Sequence, residues 1–300
     1  MNEDLLQPIL GKSEVENIIG FHTYVCSTCH TAFSSFQPDL TTCIFCGKNS
    51  ITQGETKYYY DTSSLPFQIS LEDAFAIYKK QIRHDYLLPF SFRGKRIMKK
   101  IQKVYLPCSL YNLSVEGSIA FYGADTISKV KNAPKQVFEC MYSTHFDYLN
   151  LLTSDYSRIN DVPVSNINDY DFSQLVDFNP EIIKDCCLIA SDVEKTEVTE
   201  KVQERAIKNC VNIVRGNVGH ELKKLSNNHL VVGVSSAKSI FIPIYFINFR
   251  YKGQEYLFLV NGQTGNVIVD LPTSKGNLVL LFLVCFILFV LIGCIIACIL

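Results

Sequence analysis

The last stretch of the chain is apolar at nearly every position. Leu278 to Leu300 reads LVLLFLVCFILFVLIGCIIACIL, with no charge, no proline and no side-chain amide. As a helix it runs about 35 Å, enough to cross a hydrocarbon core of about 30 Å with some tilt. A core helix of a soluble protein usually keeps a polar stripe, so this segment is expected to be a transmembrane helix. Upstream the apolar positions follow other periods. Ser70 precedes Leu71, Phe75 and Tyr78, which share one helical face, and Glu72 and Asp73 suit a capped first turn. Val198, Val202, Ala206, Cys210, Val214, Val218, Leu222 and Leu225 keep three- and four-residue steps, which predicts a long helix lying across a sheet. Ser191 and Glu194 have the spacing of a capping box for that helix, while Gly216 and Gly219 weaken its end. Pro180 is expected to open a short helix over 181–188.

Strand patterning carries an internal echo. Val104-Tyr-Leu-Pro107 through Asn112 to Gly117 can be laid on Ile240-Phe-Ile-Pro243 through Asn248 to Gly253, with Pro, Asn and Gly in step. Each copy reads as a strand, a turn at Glu116-Gly117 or Lys252-Gly253, and a second strand. Pro107 and Pro243 lack a ladder donor and are expected at a strand start, an edge or a bulge. Gln136 to Leu152 is rich in Phe, Tyr and Val and reads as strand, whereas 161–164 looks irregular. Tyr256 to Asp270 places two apolar runs around Asn261-Gly-Gln-Thr-Gly265, a hairpin.

Two Cys-x-x-Cys pairs change the picture of the N-terminal part. Cys26-Ser-Thr-Cys29 and Cys43-Ile-Phe-Cys46-Gly47 are separated by 13 residues. Each pair forms a knuckle that turns two thiolates to one side, and two knuckles complete a tetrahedral shell of four sulfurs. The pattern predicts a structural zinc site at Cys26, Cys29, Cys43 and Cys46, in preference to an iron site or four free thiols. Thr23, Tyr24 and Val25, with Thr41 and Thr42, suit strands leading into the knuckles. His30 follows the second ligand, but four cysteines already close the shell, so it reads as a surface residue.

Composition and charge narrow the class. Lys and Arg total 28 against 29 Asp and Glu, so no global attraction to nucleic acid or anionic lipid is expected. The segment Arg93 to Lys103 is locally basic and reads first as the solvated face of a short helix, second as a patch for phosphates or anionic headgroups. The acidic start, Met1-Asn2-Glu3-Asp4, has no long apolar run behind it and does not read as a secretory signal. The expectation is a tail-anchored, single-pass protein with its body in the cytosol, and Lys275 just before the span agrees. Twelve cysteines in a reducing compartment point to metal ligation and buried thiols, with Cys108, Cys140, Cys186, Cys187 and Cys210 in the second group.

No catalytic constellation emerges. His220-Glu221 is followed by Lys224 where a metalloprotease helix needs His; Gly11-Lys12-Ser13 lacks the first glycine of a phosphate loop; and Ser235 to Lys238 lacks the companion motifs of its class.

Beyond these readings, the chain resembles a family of uncharacterised bacterial zinc-ribbon membrane proteins that carry the label zinc-ribbon or primosomal-helicase-like. The resemblance covers about residues 21 to 277 and rests on the paired knuckles, Leu87-Leu-Pro-Phe90, Val104 to Pro107, Tyr170 to Val176 with Phe178-Asn-Pro180, and Tyr251 to Pro272. That family typically has Trp after each repeat proline, where this chain has Ser109 and Tyr245, and many ribbons have Gly where it has His30. A helicase activity is not implied, because a ribbon carries no ATPase.

The sequence thus predicts an α+β protein: a leader (1–19), a four-cysteine zinc ribbon (20–50), a linker (51–65), an antiparallel-sheet α+β domain with a strand–turn–strand repeat (66–277) and a transmembrane helix (278–300). The expected role is a binding or scaffold module at the cytosolic face of a membrane. Its expected partners are the lipid bilayer and a protein that the sequence does not identify. Two alternatives are a nucleic-acid-associated zinc-ribbon factor and a membrane enzyme with its site in the α+β domain. The first lacks a basic surface, since residues 20–50 hold one Lys and no Arg.

Overall fold

The computed structural model describes residues 22–35, 40–53, 62–126, 135–160, 169–179, 185–217, 222–269 and 271–299. The leader, Gly11 to Ser13, the irregular stretch 161–164, Val218, Gly219 and His220-Glu221 lie outside the described residues. In chain order the elements are β1 (His22–Cys26), β2 (Ala32–Ser35), β3 (Ile51–Gln53), β4 (Ser63–Ser64), α1 (Leu71–Ile82), β5 (Gln102–Thr126), β6 (Lys135–Ser154), α2 (Ser157–Asn160), β7 (Val176–Asp177), β8 (Cys187–Ile189), α3 (Lys195–Asn217), β9 (Leu222–Tyr251), β10 (Gln254–Asn261), β11 (Val267–Val269) and α4 (Lys275–Ile299). Short 3-10 turns occupy Phe90–Phe92, Lys95–Lys100 and Phe172–Gln174. The protein is mixed α+β, and its chain folds into two compact units.

The first unit takes Met1–Leu106, Ser165–Ala190 and Phe241–Leu300. Its sheet runs β11-β10-β9-β5-β8-β2-β1-β3. The sheet is not purely antiparallel: β5 and β8 run parallel, with Val104 opposite Cys187 and Tyr105 opposite Leu188. The residues expected to form a helix over 181–188 do not do so in their described part, where a turn at Asp185–Cys186 leads into β8. Leu188 and Ile189 are fully buried there, which a β pairing on both sides explains.

Helix α1 begins as its sequence predicts. Ser70 accepts from the Asp73 N–H at 3.1 Å, and the Asp73 carboxylate accepts from the Ser70 N–H at 3.3 Å. Ala74, Tyr78 and Ile82 are its buried face. They meet Leu88, Phe92, Ile97 and Ile101 from the loop after α1 and Tyr245, Ile247, Phe249, Phe258 and Val260 from the sheet. The Tyr78 ring stands edge-on to Phe258 at 4.9 Å, and its hydroxyl donates to the Phe92 carbonyl, so the polar tip of this buried ring is satisfied.

The second unit takes Pro107–Val164 and Ser191–Ile240. Strands β5 and β6 pair from Cys108 opposite Ser154 to Thr126 opposite Lys135, with an irregularity at Tyr111/Leu113. Asn112 holds that bulge: its Oδ1 accepts the Asn150 N–H at 2.8 Å and its Nδ2 donates to Ser236 Oγ at 3.0 Å. Helix α3 buries Val198, Val202, Ala206, Cys210, Val211 and Val214 on Tyr111, Leu113, Val115, Ile119 and Phe121 of β5. The helix ends before the apolar stripe does, since Leu225 belongs to β9 and packs on the same core.

Two local expectations fail here. Ser191 does not box the N-terminus of α3; its hydroxyl donates to the carbonyls of Asp155 and Val193 instead. Glu116-Gly117 is not a turn, because β5 continues through it. Gly117 has φ of 137°, and a Cβ there would sit 2.0 Å from the His229 carbonyl oxygen. The glycine serves a close backbone approach rather than a reversal. Lys252-Gly253, its counterpart in the echo, is a true two-residue turn with φ of 51° and 83° between β9 and β10.

Candidate metal centre

The ribbon is built by β1, β2 and β3, all antiparallel, with β1 in the middle. Strand β1 delivers Cys26 at its end. The chain then turns through Ser27 to Cys29, the His30 N–H donates to the Cys26 carbonyl at 2.8 Å, and His30 takes the left-handed φ of 56° that closes the knuckle. The second knuckle is a turn without flanking strands, so Thr41 and Thr42 are not in a strand as their propensity suggests. Its closure comes from Gly47, at φ of 67°, whose N–H donates to the Cys43 carbonyl at 3.0 Å. The Phe45 N–H points at Cys43 Sγ at 3.4 Å. Ser50 ties the two knuckles together: its carbonyl accepts the Ser27 N–H at 2.9 Å and its Oγ lies 3.3 Å from Cys26 Sγ.

These turns bring four sulfurs to one point. Cys26 Sγ lies 3.6 Å from Cys46 Sγ, and Cys29 Sγ lies 3.6 Å from Cys43 Sγ. All four lie within 4.8 Å of one another. A tetrahedral metal with sulfur ligands at about 2.3 Å needs an edge of about 3.8 Å, so the spacing suits such an ion. Cys26, Cys29 and Cys43 are buried, and Cys46 is partly so. Burial pushes the Cys26 thiol upward, but hydrogen bonds from Ser50 and the Cys29 and Thr28 backbone outweigh it and bring it to about 6. Burial wins at Cys43 and Cys46, whose thiols are pushed up. Four clustered thiols cannot all ionise unaided in such a place; a bound dication would let them. His30 is exposed and is not among the four clustered groups.

The ribbon is continuous with the rest of its unit. Phe33 and Ser34 of β2 pair with Ile189 and Leu188 of β8, and the Ala190 N–H donates to the Ala32 carbonyl at 2.9 Å. Phe45, between the second pair of cysteines, stacks on Phe246 with centroids 4.6 Å apart. Asn248 donates from Nδ2 to the Phe45 carbonyl at 2.7 Å, which pins the second knuckle to β9. In the sequence, Asn248 stands out only as the partner of Asn112 in the echo. Each proves to be a bracing amide, one for the knuckle and one for the bulge.

Comparison with known proteins adds little to the site. No family model matches the chain, and no solved structure matches it. The chain is similar to the uncharacterized protein YdjG of Bacillus subtilis (strain 168), at 20% identity over 222 residues, which is 71% of this chain and 64% of that protein. It therefore spans less than two thirds of that relative's length.

Beside the ribbon lies a cleft of about 510 Å³ whose walls include Cys43, Lys103, Asp185, Cys186 and Cys187. Burial pushes the Cys186 thiol up to about 12 and raises Cys187 as well. A thiol held that high is protonated at neutral pH and is a poor nucleophile. Cys108, Cys186 and Cys210 are buried as expected, whereas Cys140 and Cys187 are only partly covered.

Helix α4 differs from every other element. The window Lys275–Ile296 has a mean hydropathy of 3.5, and none of it is buried, so the helix is long and apolar enough to cross a membrane. Its start is tied to the body. The Ser274 N–H donates to the Leu87 carbonyl at 2.8 Å, and Asn277 Nδ2 donates to the Leu88 carbonyl at 2.8 Å.

Proposed function

We propose that the protein is a bilayer-anchored binding or scaffold module whose ribbon is set by one structural zinc ion on Cys26, Cys29, Cys43 and Cys46. The observation that carries this reading is the closed set of four sulfurs with paired separations of 3.6 Å. Four thiolates leave no coordination position for water, so zinc there supplies folding free energy rather than Lewis acidity. The ribbon then holds β2 as an ordered partner for β8, and the exposed surfaces of a rigid unit are what a binding module presents.

Helix α4 is the proposed anchor. Its side chains from Leu278 onward carry no charge, and those from Leu278 to Ile296 are exposed in a way that costs much in water and nothing in lipid. The body belongs on the cytosolic side on this reading: free thiols and a thiolate metal site need a reducing compartment, and Lys275 flanks the span. Binding to nucleic acid by the ribbon has less support, because Lys48 is its one basic side chain apart from histidine.

Metal analysis of the purified full chain tests the site, with one zinc per chain expected. Carbonate extraction of membranes tests the anchor. A zinc-free protein that keeps an ordered ribbon sinks the first half, and a full chain found in the soluble fraction sinks the second.

A further inference from the structure

The loop after α1 is tied to the start of α4, and its side chains divide sharply. Leu88 and Phe92 are buried in the core of the first unit, while Tyr86 and Phe90, between and beside them, are 65% and 72% exposed. The two outward rings are therefore held out by their buried neighbours, not left loose. The backbone that carries them is the backbone that receives α4: the carbonyls of Tyr86, Leu87 and Leu88 accept from Asn277 Nδ2, the Ser274 N–H and Asn277 Nδ2 respectively. Met98, further along, is also exposed, at 39%.

The same loop concentrates positive charge. From 93 to 100 it contains Arg93, Lys95, Arg96, Lys99 and Lys100 and no acidic residue. Arg93 and Lys100 are exposed. Asp85, the acid nearest in sequence, is engaged within the loop, where its carboxylate accepts the Leu87 N–H at 3.1 Å. Exposed aromatic rings at the mouth of a span, next to clustered Lys and Arg, are the two features that seat protein at a lipid headgroup layer.

We propose that Tyr86, Phe90 and the basic run Arg93–Lys100 form a second membrane contact, seated on anionic lipid headgroups of the bilayer that receives α4. The inference rests on α4 being a membrane anchor. The hydrogen bonds from Ser274 and Asn277 hold the Tyr86–Leu88 backbone, and with it the Tyr86 ring, beside the start of α4. The rings enter the interface beside the glycerol level, and the basic run neutralises headgroup phosphates. The contact orients the first unit on the membrane, which a single-pass helix with only its own axis to define it does not do.

The chain contains no Trp, so a single introduced Trp reports its own surroundings. Two variants of the full chain, Phe90→Trp and Phe289→Trp, are reconstituted in vesicles of phosphatidylcholine alone or mixed with phosphatidylglycerol, with brominated lipids as quenchers. For Phe90→Trp the expected result is a blue-shifted emission, quenched more by bromine high on the acyl chain than by bromine near its end, and quenched more strongly when phosphatidylglycerol is present. Adding Lys95→Gln, Arg96→Gln, Lys99→Gln and Lys100→Gln is expected to abolish the difference between the two lipid mixtures, with zinc content unchanged. High salt is expected to reduce that difference as well. Water-like emission from Trp at 90 with strong quenching at 289 overturns this inference and leaves the anchor standing. No quenching at either position removes the anchor too. Equal quenching in both mixtures overturns the role of charge, and loss of the phosphatidylglycerol effect on adding millimolar inorganic phosphate assigns the basic run to a free anion instead.

Discussion

Strands β5 and β6 are 25 and 20 residues long and share a core with α3, which is 23 residues long. Ribbon strands β1, β2 and β3 have 5, 4 and 3 residues. In the second unit, long-range pairing and one apolar helix stripe are enough to bury a core of Val, Ile, Leu and aromatic side chains. Three strands that short bury little apolar area among themselves, which is why a metal is given the larger share of the ribbon's order in the proposed reading. The four sulfurs supply the place for it, and the pairing of β2 with β8 carries the consequence into the rest of the first unit. A patterned core tolerates loss of one contact. On the proposed reading the ribbon is metal-centred, and such a fold depends on each ligand.

The strongest way to break this contrast is Cys43→Ser. Structural zinc in finger peptides is worth roughly 10–16 kcal/mol at neutral pH, so losing it should unfold the ribbon outright. Hydrogen exchange on the full chain is expected to show lost protection over 22–35 and 40–53 and at Leu188 and Ile189, because β8 loses a partner. Protection in α3 is expected to persist. Equal loss in α3 would mean that the two units fold as one.

The two glycines of the echo sharpen it next. Gly117→Ala places a Cβ on the His229 carbonyl in a strained φ, and about 4 kcal/mol of lost stability in the second unit is expected. Gly253→Ala meets nothing within 4 Å and keeps only the left-handed penalty of about 1 kcal/mol. Comparable losses for both would show that Gly117 is not a packing glycine.

A third test concerns a group that metal cannot help. Asp155 is 6% exposed; Ser109 Oγ donates to its Oδ2 at 2.9 Å, and its Oδ1 has no partner among the described residues. Burial pushes its carboxyl from 3.8 up to about 6, against the pull of Ser109 and of Lys195, while Cys108 lies beside it as a neutral thiol. A raised native pKa means that the folded state holds the proton more tightly, so this stabilisation is complete below about pH 4 and is lost as pH rises through 6. Relative to wild type, Asp155→Asn should leave the stability of the second unit nearly unchanged at pH 4 and raise it by about 2–3 kcal/mol at pH 8. Exchange of β6 and α3 amides at the two pH values measures it, and a gain that does not depend on pH would reject the buried acid as its cause.

Sequence alone made the local features legible. The Cys-x-x-Cys knuckles, the Ser70 cap, the α3 face from Val198 to Val214, the turn at Asn261 and the apolar run of α4 each follow from residues close in the chain. What escaped was tertiary. Gly117 looks like a turn glycine until the backbone of His229 is beside it. Ser191 and Glu194 have capping-box spacing, but α3 begins only at Lys195, which leaves Ser191 outside the cap position. Leu225 keeps helical spacing because both α3 and β9 face one core, so the period continues after the helix stops. The strand at Cys187 was hidden for a similar reason: parallel pairing with β5 joins residues more than eighty positions apart, and no short-range pattern announces it.

The smallest expected effect lies inside the ribbon, at His30. Its φ of 56° is one that glycine adopts freely and a side chain does not, and its N–H already donates to the Cys26 carbonyl, so the backbone there is fixed whichever residue occupies it. The imidazole is exposed and stands outside the four-sulfur cluster. His30→Gly should therefore relieve left-handed strain at a small entropic cost, with a net gain of up to about 1 kcal/mol in ribbon stability. His30→Ala keeps the strain and should be nearly neutral. Zinc stoichiometry should be the same in both variants and in wild type, since four thiolates complete the tetrahedron without a nitrogen. A chelator competition run on the three proteins separates the possibilities. Tighter retention in the glycine variant alone follows from backbone relief, whereas weaker retention in both variants would make His30 a ligand and leave one of the four cysteines wrongly assigned.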